Sequence, residues 1–148
     1  MRKSLDLQVM FMVQNKKNKF IKTRKGRLNG TENKAISLII GDFGLKCISS
    51  ERIKDYQMEA IQKFLIKKIK KSNKFWFRVY PFLSITTKPV ETRMGKGKGT
   101  IASFFFPLKA GRVLFEFQGI SLKMALNLNM SIKSKIPIKT KLIKFYDM

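Results

Sequence analysis

Phe75-Trp76-Phe77-Arg78-Val79-Tyr80-Pro81 decides the fold class of this chain. Phe75, Phe77 and Val79 alternate with Trp76, Arg78 and Tyr80. A period of two with one apolar face is the mark of a half-buried strand. Pro81 ends it, because proline has no N–H for the ladder. The chain therefore builds a sheet, and the segments on either side are read as its partners or its cover.

Downstream, residues 82–99 read as a long connection, and long connections inside compact domains are usually functional. It holds Arg93-Met94-Gly95-Lys96-Gly97-Lys98-Gly99, where three glycines alternate with two lysines. Glycine lets the backbone follow tight paths and approach a partner closely, and the lysines put positive charge in the same place. Ile101 to Phe106 and Arg112 to Phe117 are two more strands, and the short link from Pro107 to Gly111 suggests a hairpin. Ser121 caps a helix with Leu122, Ala125, Leu126 and Met130 as part of its apolar face. Pro137 opens a final extended stretch to Phe145.

Upstream, Ala35 to Ile40 predicts a strand, Gly41-Asp42-Phe43-Gly44 a turn or bulge, and Leu45 to Ile48 its resumption. Ser50 is the expected cap of a first helix, with Glu51 and Asp55 in its first turns. Ile53, Tyr56, Ala60, Ile61, Phe64 and Leu65 supply its apolar face. It should run to about Lys71, ending in Lys67, Lys68, Lys70 and Lys71, which are too many to serve the helix dipole alone and read as a phosphate-facing patch, or else as a solvated helix end. The expected fold is α+β: a mostly antiparallel sheet with two helices on one face. A basic arm (1–30) precedes a globular part (31–148) that holds loop 82–99, and 1–148 is expected to be a single domain.

Charge sets the function class. The chain carries 32 Lys+Arg against 9 Asp+Glu, net +23, with pI about 10.5. Residues 14–27 hold seven cations and no acid, namely Lys16, Lys17, Lys19, Lys22, Arg24, Lys25 and Arg27. Such a run is an arm that folds onto a polyanion, or else a solvated tail. Nucleic acid is the first candidate partner and an anionic membrane the second. A hydrophobic content of 44% with 13 Phe is enough for a real core. No apolar run reaches the ~18–20 residues of a spanning helix.

Catalysis finds no support. The chain has no histidine and one cysteine, so no internal disulfide, no zinc site and no cofactor is expected. Cys47 reads as a small buried hydrophobe rather than a reactive thiol. The glycine loop fails as a Walker loop, because Lys98 is followed by Gly99 rather than Ser or Thr. It fails as a dinucleotide fingerprint, because Thr100 stands where the third glycine is needed. The rings beside Arg78 could be stacking platforms for bases, although the inward ones are better read as core.

Taken together, these motifs resemble the L16 family of large-subunit ribosomal proteins. Arg93 to Gly99, with Lys88-Pro89 just before it, is similar to the family's loop. Lys74 to Pro81 is similar to its lysine, hydrophobe, tryptophan, hydrophobe, arginine strand. Asn15 to Arg27 resembles its basic N-terminal segment, with Phe20, Lys25, Gly26 and Arg27 matching. Phe43-Gly44-Leu45-Lys46 resembles its aromatic-glycine turn. Gly111 to Glu116, Gly119-Ile120-Ser121 and Pro137 to Lys141 continue the series in family order. The chain departs at Ser103-Phe104-Phe105-Phe106, where the family is rich in tyrosine or tryptophan, and its second helix is poorer in alanine.

The resemblance implies a structural, non-enzymatic constituent of the large subunit that binds large-subunit rRNA beside the aminoacyl-tRNA site and acts late in assembly. Arg93, Met94, Gly95, Lys96, Gly97, Lys98 and Gly99 would form the loop facing tRNA and the peptidyl-transferase centre. The arm cations would bind rRNA, and neighbouring large-subunit proteins would be further partners. A free assembly factor with the same fold is the alternative. The 25 Lys against 7 Arg, the missing histidine and the lack of a visible long presequence favour a mitochondrial ribosome over a plastid or bacterial one.

Overall fold

A computed structural model describes residues 22–69 and 73–145. Lys16, Lys17, Lys19 and Lys71 lie outside the described residues. The elements in chain order are β1 Phe43–Cys47, β2 Glu51–Lys54, α1 Asp55–Lys68, β3 Lys74–Phe77, β4 Leu83–Thr87, β5 Thr100–Leu108, β6 Val113–Gln118, α2 Leu122–Lys133 and β7 Thr140–Lys144. The strands form two antiparallel sheets, ordered β3-β6-β1-β7 and β2-β5-β4. The α+β class holds, but with two sheets where the sequence suggests one.

β6 is the centre of the first sheet, and Val113 through Phe117 are all buried. Residues two apart share a face, so Phe115 and Phe117 face the core opposite Leu45 and Phe43 of β1 and Phe77 and Phe75 of β3. Phe77 meets Phe115 edge-to-face at 5.1 Å, a favoured aromatic geometry. Both helices pack into this same cluster, α1 through Met58, Ile61 and Leu65 and α2 through Ala125, Leu128 and Ile132. Cys47 is buried there, its thiol donates to the Lys109 carbonyl at 2.9 Å, and burial pushes its pKa up. It is an inert core group, as read from the sequence. Among the described residues no helix is long and apolar enough to cross a membrane.

The other face of β6 carries a charge. Glu116 is fully buried, with Gly44 of β1 beside it and Trp76 of β3 on its other side. Its carboxylate accepts from the N–H groups of Ile40 at 2.8 Å, Gly41 at 2.9 Å and Ile39 at 3.3 Å, and pairs with the guanidinium of Arg78. This overturns the expected strand at Ala35 to Ile40. Those donors are taken by a side chain, so the segment crosses the sheet as irregular chain. Glycines make the crossing possible. A Cβ at Gly44 would lie 2.3 Å from Leu38 and one at Gly41 2.7 Å from the Phe117 carbonyl. Phe43 and Gly44 are consequently part of β1 rather than a turn.

Other boundaries also move. Ser50 does not cap a helix; its hydroxyl accepts from Ala110 N–H, and Glu51–Lys54 form β2 along β5. The helix begins at Asp55, whose carboxylate accepts from Tyr56 N–H at 2.8 Å and Phe104 N–H at 3.1 Å, while Gln57 accepts from Lys54 N–H at 3.0 Å. Its buried face is Met58, Ile61 and Leu65, and Tyr56 and Ala60 are exposed. Ser121 does cap α2, accepting from Met124 N–H at 3.4 Å. Its buried face is Ala125, Leu128, Asn129 and Ile132, however, and Leu122, Leu126 and Met130 are exposed. The rotation follows Asn129, which accepts from the Thr140 hydroxyl of β7 at 2.8 Å and must face inward.

The expected β5–β6 hairpin is absent, because those strands belong to different sheets. The turn between them is held by β1 instead: Gly111 N–H donates to Cys47 O at 2.8 Å, and Cys47 N–H to Arg112 O at 2.9 Å. Gly111 has φ +98°, open to glycine at no steric cost.

Glu116 makes a test of this framework. Burial alone would push its carboxyl up, but the N–H groups of Ile40, Gly41 and Ile39 and the Arg78 charge outweigh it and hold it below its ordinary 4.5. A carboxylate lowered on folding stabilises above its unfolded pKa and loses that contribution as pH falls through the folded one. Resistance of the wild-type chain to urea unfolding should therefore fall as pH drops below about 4.5, and Glu116→Gln should flatten that decline. Glu116→Ala should cost about 3–5 kcal/mol at neutral pH, since it strands buried donors and a cation. An Ala variant as stable as wild type would show that the carboxylate organises nothing.

Candidate nucleic-acid interface

Residues 82–99 are not all loop. Leu83–Thr87 is strand β4, which pairs with β5 from Leu83↔Phe105 to Thr87↔Thr100. The loop is the tip of this hairpin, residues 88–99. Gly95, Lys96 and Gly97 follow one another at φ +96°, +52° and +83°. Such a left-handed run is cheap for glycine and costs L-residues steric strain, so the glycines set the path and Lys96 follows it. At the neck, a Cβ on Gly99 would sit 2.3 Å from the Thr87 carbonyl, so the two strands close only over glycine.

The lysines of the loop divide into two groups. Lys88 donates through Nζ to the Gly95 carbonyl and ties the tip back on itself. Lys98 donates through Nζ to the Thr23 carbonyl at 2.6 Å, and Lys22 donates through Nζ to the Lys98 carbonyl at 3.2 Å. Thr23 N–H adds a bond to the Ser84 hydroxyl at 3.3 Å. The arm is thus laced to the base of the loop. Arg93, Met94 and Lys96 are exposed at the tip, Met94 almost completely.

Beyond Thr23, the arm runs along the second sheet. Arg52 of β2 donates through Nη2 to the Gly26 carbonyl at 2.8 Å. Lys22, Arg24, Lys25 and Arg27 are exposed along this run. The structure therefore joins the arm and the loop, two features far apart in sequence, on one side of the β2-β5-β4 sheet. Lys67 and Lys68 lie at the exposed end of α1. Among the described residues no hydrogen bond or ion pair connects them to that surface.

Sequence reasoning missed a cleft of about 440 Å³ between the arm and the second sheet. Arg24, Arg27, Lys109 and Arg112 supply charge to it, and Phe82 and Phe106 supply rings. Arg112 is paired with Glu32 at 2.8 Å and lies over the Phe106 ring at 4.7 Å. Burial alone would raise the Glu32 carboxyl, but the Arg112 hydrogen bond and charge and the N–H groups of Lys34 and Asn33 hold it below its ordinary value. Arg112 was visible in the sequence only as the start of a strand, and Phe82 only as the residue after Pro81.

A basic edge of this kind binds phosphates and positions a protein without reading sequence. The family described as ribosomal protein L16p/L10e matches residues 15–143. The chain is 39% identical over 132 residues to the large ribosomal subunit protein uL16 of Rhodopseudomonas palustris (strain BisB18), covering 89% of this chain and 96% of that one. It is 40% identical over 132 residues to the uL16 of Nitrobacter hamburgensis, with the same coverage. It is 39% identical over 133 residues to that of Hyphomonas neptunium, covering 90% and 96%. All three relatives are bacterial. The match spans the arm, both sheets, both helices and the loop, so this chain belongs to the ribosomal protein L16p/L10e family, a family of structural proteins and not of enzymes.

Proposed function

We propose that this chain is a structural constituent of the large ribosomal subunit, folded as one domain and held on large-subunit rRNA by its arm. The loop tip reaches the aminoacyl-tRNA site and the peptidyl-transferase centre. The observation that carries the reading is the lacing of arm to loop through Lys22, Thr23 and Lys98. An arm anchored on rRNA would fix the loop base directly, so Arg93, Met94 and Lys96 would be presented to tRNA from a defined position. The protein would do no chemistry. It would hold RNA and tRNA in productive geometry, where small misplacements are costly.

Several features support rRNA as the ligand. Lys22, Arg24, Lys25 and Arg27 are exposed on one run, with Lys16, Lys17 and Lys19 just before it in sequence. Lys67, Lys68 and Lys71 would contact a second stretch of backbone at the end of α1. Specificity would come from the shape of folded RNA, because lysine contacts to phosphate do not report base identity. A lysine-rich chain without histidine suits a mitochondrial ribosome.

Mass spectrometry of mitochondrial ribosomes on a high-salt sucrose gradient tests the assignment. Stoichiometric recovery in mature large subunits is the expected result. Recovery only in immature particles would make the chain an assembly factor, and recovery in another organelle would move the location. Arg93→Ala with Lys96→Ala should leave subunits assembled but slow tRNA accommodation severalfold; normal accommodation in that double variant would remove the loop from the tRNA site. Neutralising Lys22, Arg24, Lys25 and Arg27 should weaken rRNA binding and lower the slope of log K against log salt by about 0.7–0.9 for every phosphate the arm no longer neutralises. An unchanged slope would mean that the arm does not touch phosphate.

A further inference from the structure

We infer that the cleft between the arm and the second sheet receives one unpaired rRNA nucleotide, with its base on the Phe82 ring and its phosphates on Arg24, Arg27 and Lys109. The inference rests on the rRNA-binding reading and names a site within it.

The floor of the cleft is aromatic and braced. Phe82 stands edge-to-face against Phe106 with centroids 5.7 Å apart and planes at 69°. Phe106 is buried, and the Arg112 guanidinium, itself pinned by Glu32, lies over its ring. Phe82 is 43% exposed, so part of its ring faces the cleft. The rim is cationic, because Arg24, Arg27 and Lys109 are all exposed around the same space. Rings below cations suit a group with a flat apolar face and attached phosphates.

A duplex does not offer that combination. Its bases are stacked on each other, and its surface presents phosphates, 2′-hydroxyls and base edges. It would satisfy the rim and leave the Phe82 ring against polar groups. An unpaired nucleotide brings its own π-face to the ring, and single-stranded RNA is recognised by such stacking. The volume of about 440 Å³ falls within the about 300–1,000 Å³ of small-ligand sites and leaves room for one nucleotide.

The test uses the full chain with two RNAs: an oligouridylate of about ten nucleotides carrying one 4-thiouridine, and an RNA duplex of about 16 base pairs. Photocrosslinks should map to Phe82 and its neighbours in the cleft. Phe82→Leu should weaken oligouridylate binding about tenfold and leave duplex binding unchanged, while Phe82→Trp should retain or strengthen it. Circular dichroism checks that each variant is folded. Crosslinks elsewhere, or equal oligouridylate affinity for wild type and Phe82→Leu, would overturn the nucleotide site while duplex binding still upheld the rRNA reading. A wild-type chain that binds neither RNA would overturn both.

Discussion

A carboxylate buried in the middle of a sheet is the constraint on which the rest of this structure depends. Glu116 lies in a strand whose neighbours on both sides are buried, so it cannot be solvated. An ionised carboxyl in such a place is tolerated only if its lone pairs are taken up by donors. The donors come from far away in sequence, from Ile39, Ile40 and Gly41 and from Arg78. The carboxylate therefore fixes how the chain enters β1, because Asp42 follows directly and its N–H bonds the Phe117 carbonyl at 2.9 Å. It also fixes how the chain leaves β3. Arg78 N–H bonds the Leu114 carbonyl at 2.9 Å while its side chain reaches Glu116. From there Tyr80, Pro81 and Phe82 lead into the second sheet and the loop hairpin.

The two sheets meet where β5 hands over to β6. At this corner the backbone of Gly111 and Arg112 is bonded to Cys47, Ala110 is bonded to Ser50 and to Glu32, and the Arg112 side chain closes on Glu32. The segment after the arm is thus fastened to the same corner that carries the cleft. Strength here comes from many short links between different parts of the chain. The arm takes its position from that corner, from Arg52 and from Lys98, whereas the loop is carried by the β4–β5 hairpin.

What the sequence makes legible follows from how local each signal is. The strand at Phe75 shows itself because its alternation is set by near neighbours, although β3 stops at Phe77 and not at Pro81, and the α2 cap shows because Ser121 needs only Met124. The arm and loop are legible as charge and glycine, which need no fold to be noticed. Ala35 to Ile40 misleads, because its β-branched residues suggest a ladder and only Glu116, some 75 residues away along the chain, diverts the donors. The helix faces mislead for a similar reason. Asn129 looks polar and outward until Thr140 is brought beside it, and Ile53 looks helical until β5 claims it as a strand residue. The cleft was hidden because Arg24, Phe82 and Arg112 share no stretch of sequence and none breaks a local pattern.

The acids are few, and most of those that accept a hydrogen bond hold the backbone in place. With 9 acids against 32 cations, neutralising the surface is out of reach, and five of the acids also hold the backbone. Glu32, Asp42, Glu51, Asp55 and Glu116 each accept a backbone N–H, from Lys34, Gly119, Arg52, Tyr56 and Ile40 respectively. Their negative charge is spent on fixing the chain path at turns, at a helix start and inside the sheet. Each such bond is charge-assisted and stronger than a neutral one, so a few acids suffice to hold the fold. Five acids serve the framework, and the excess of 32 cations over 9 acids leaves the arm, the loop and the cleft a field that a polyanion can meet.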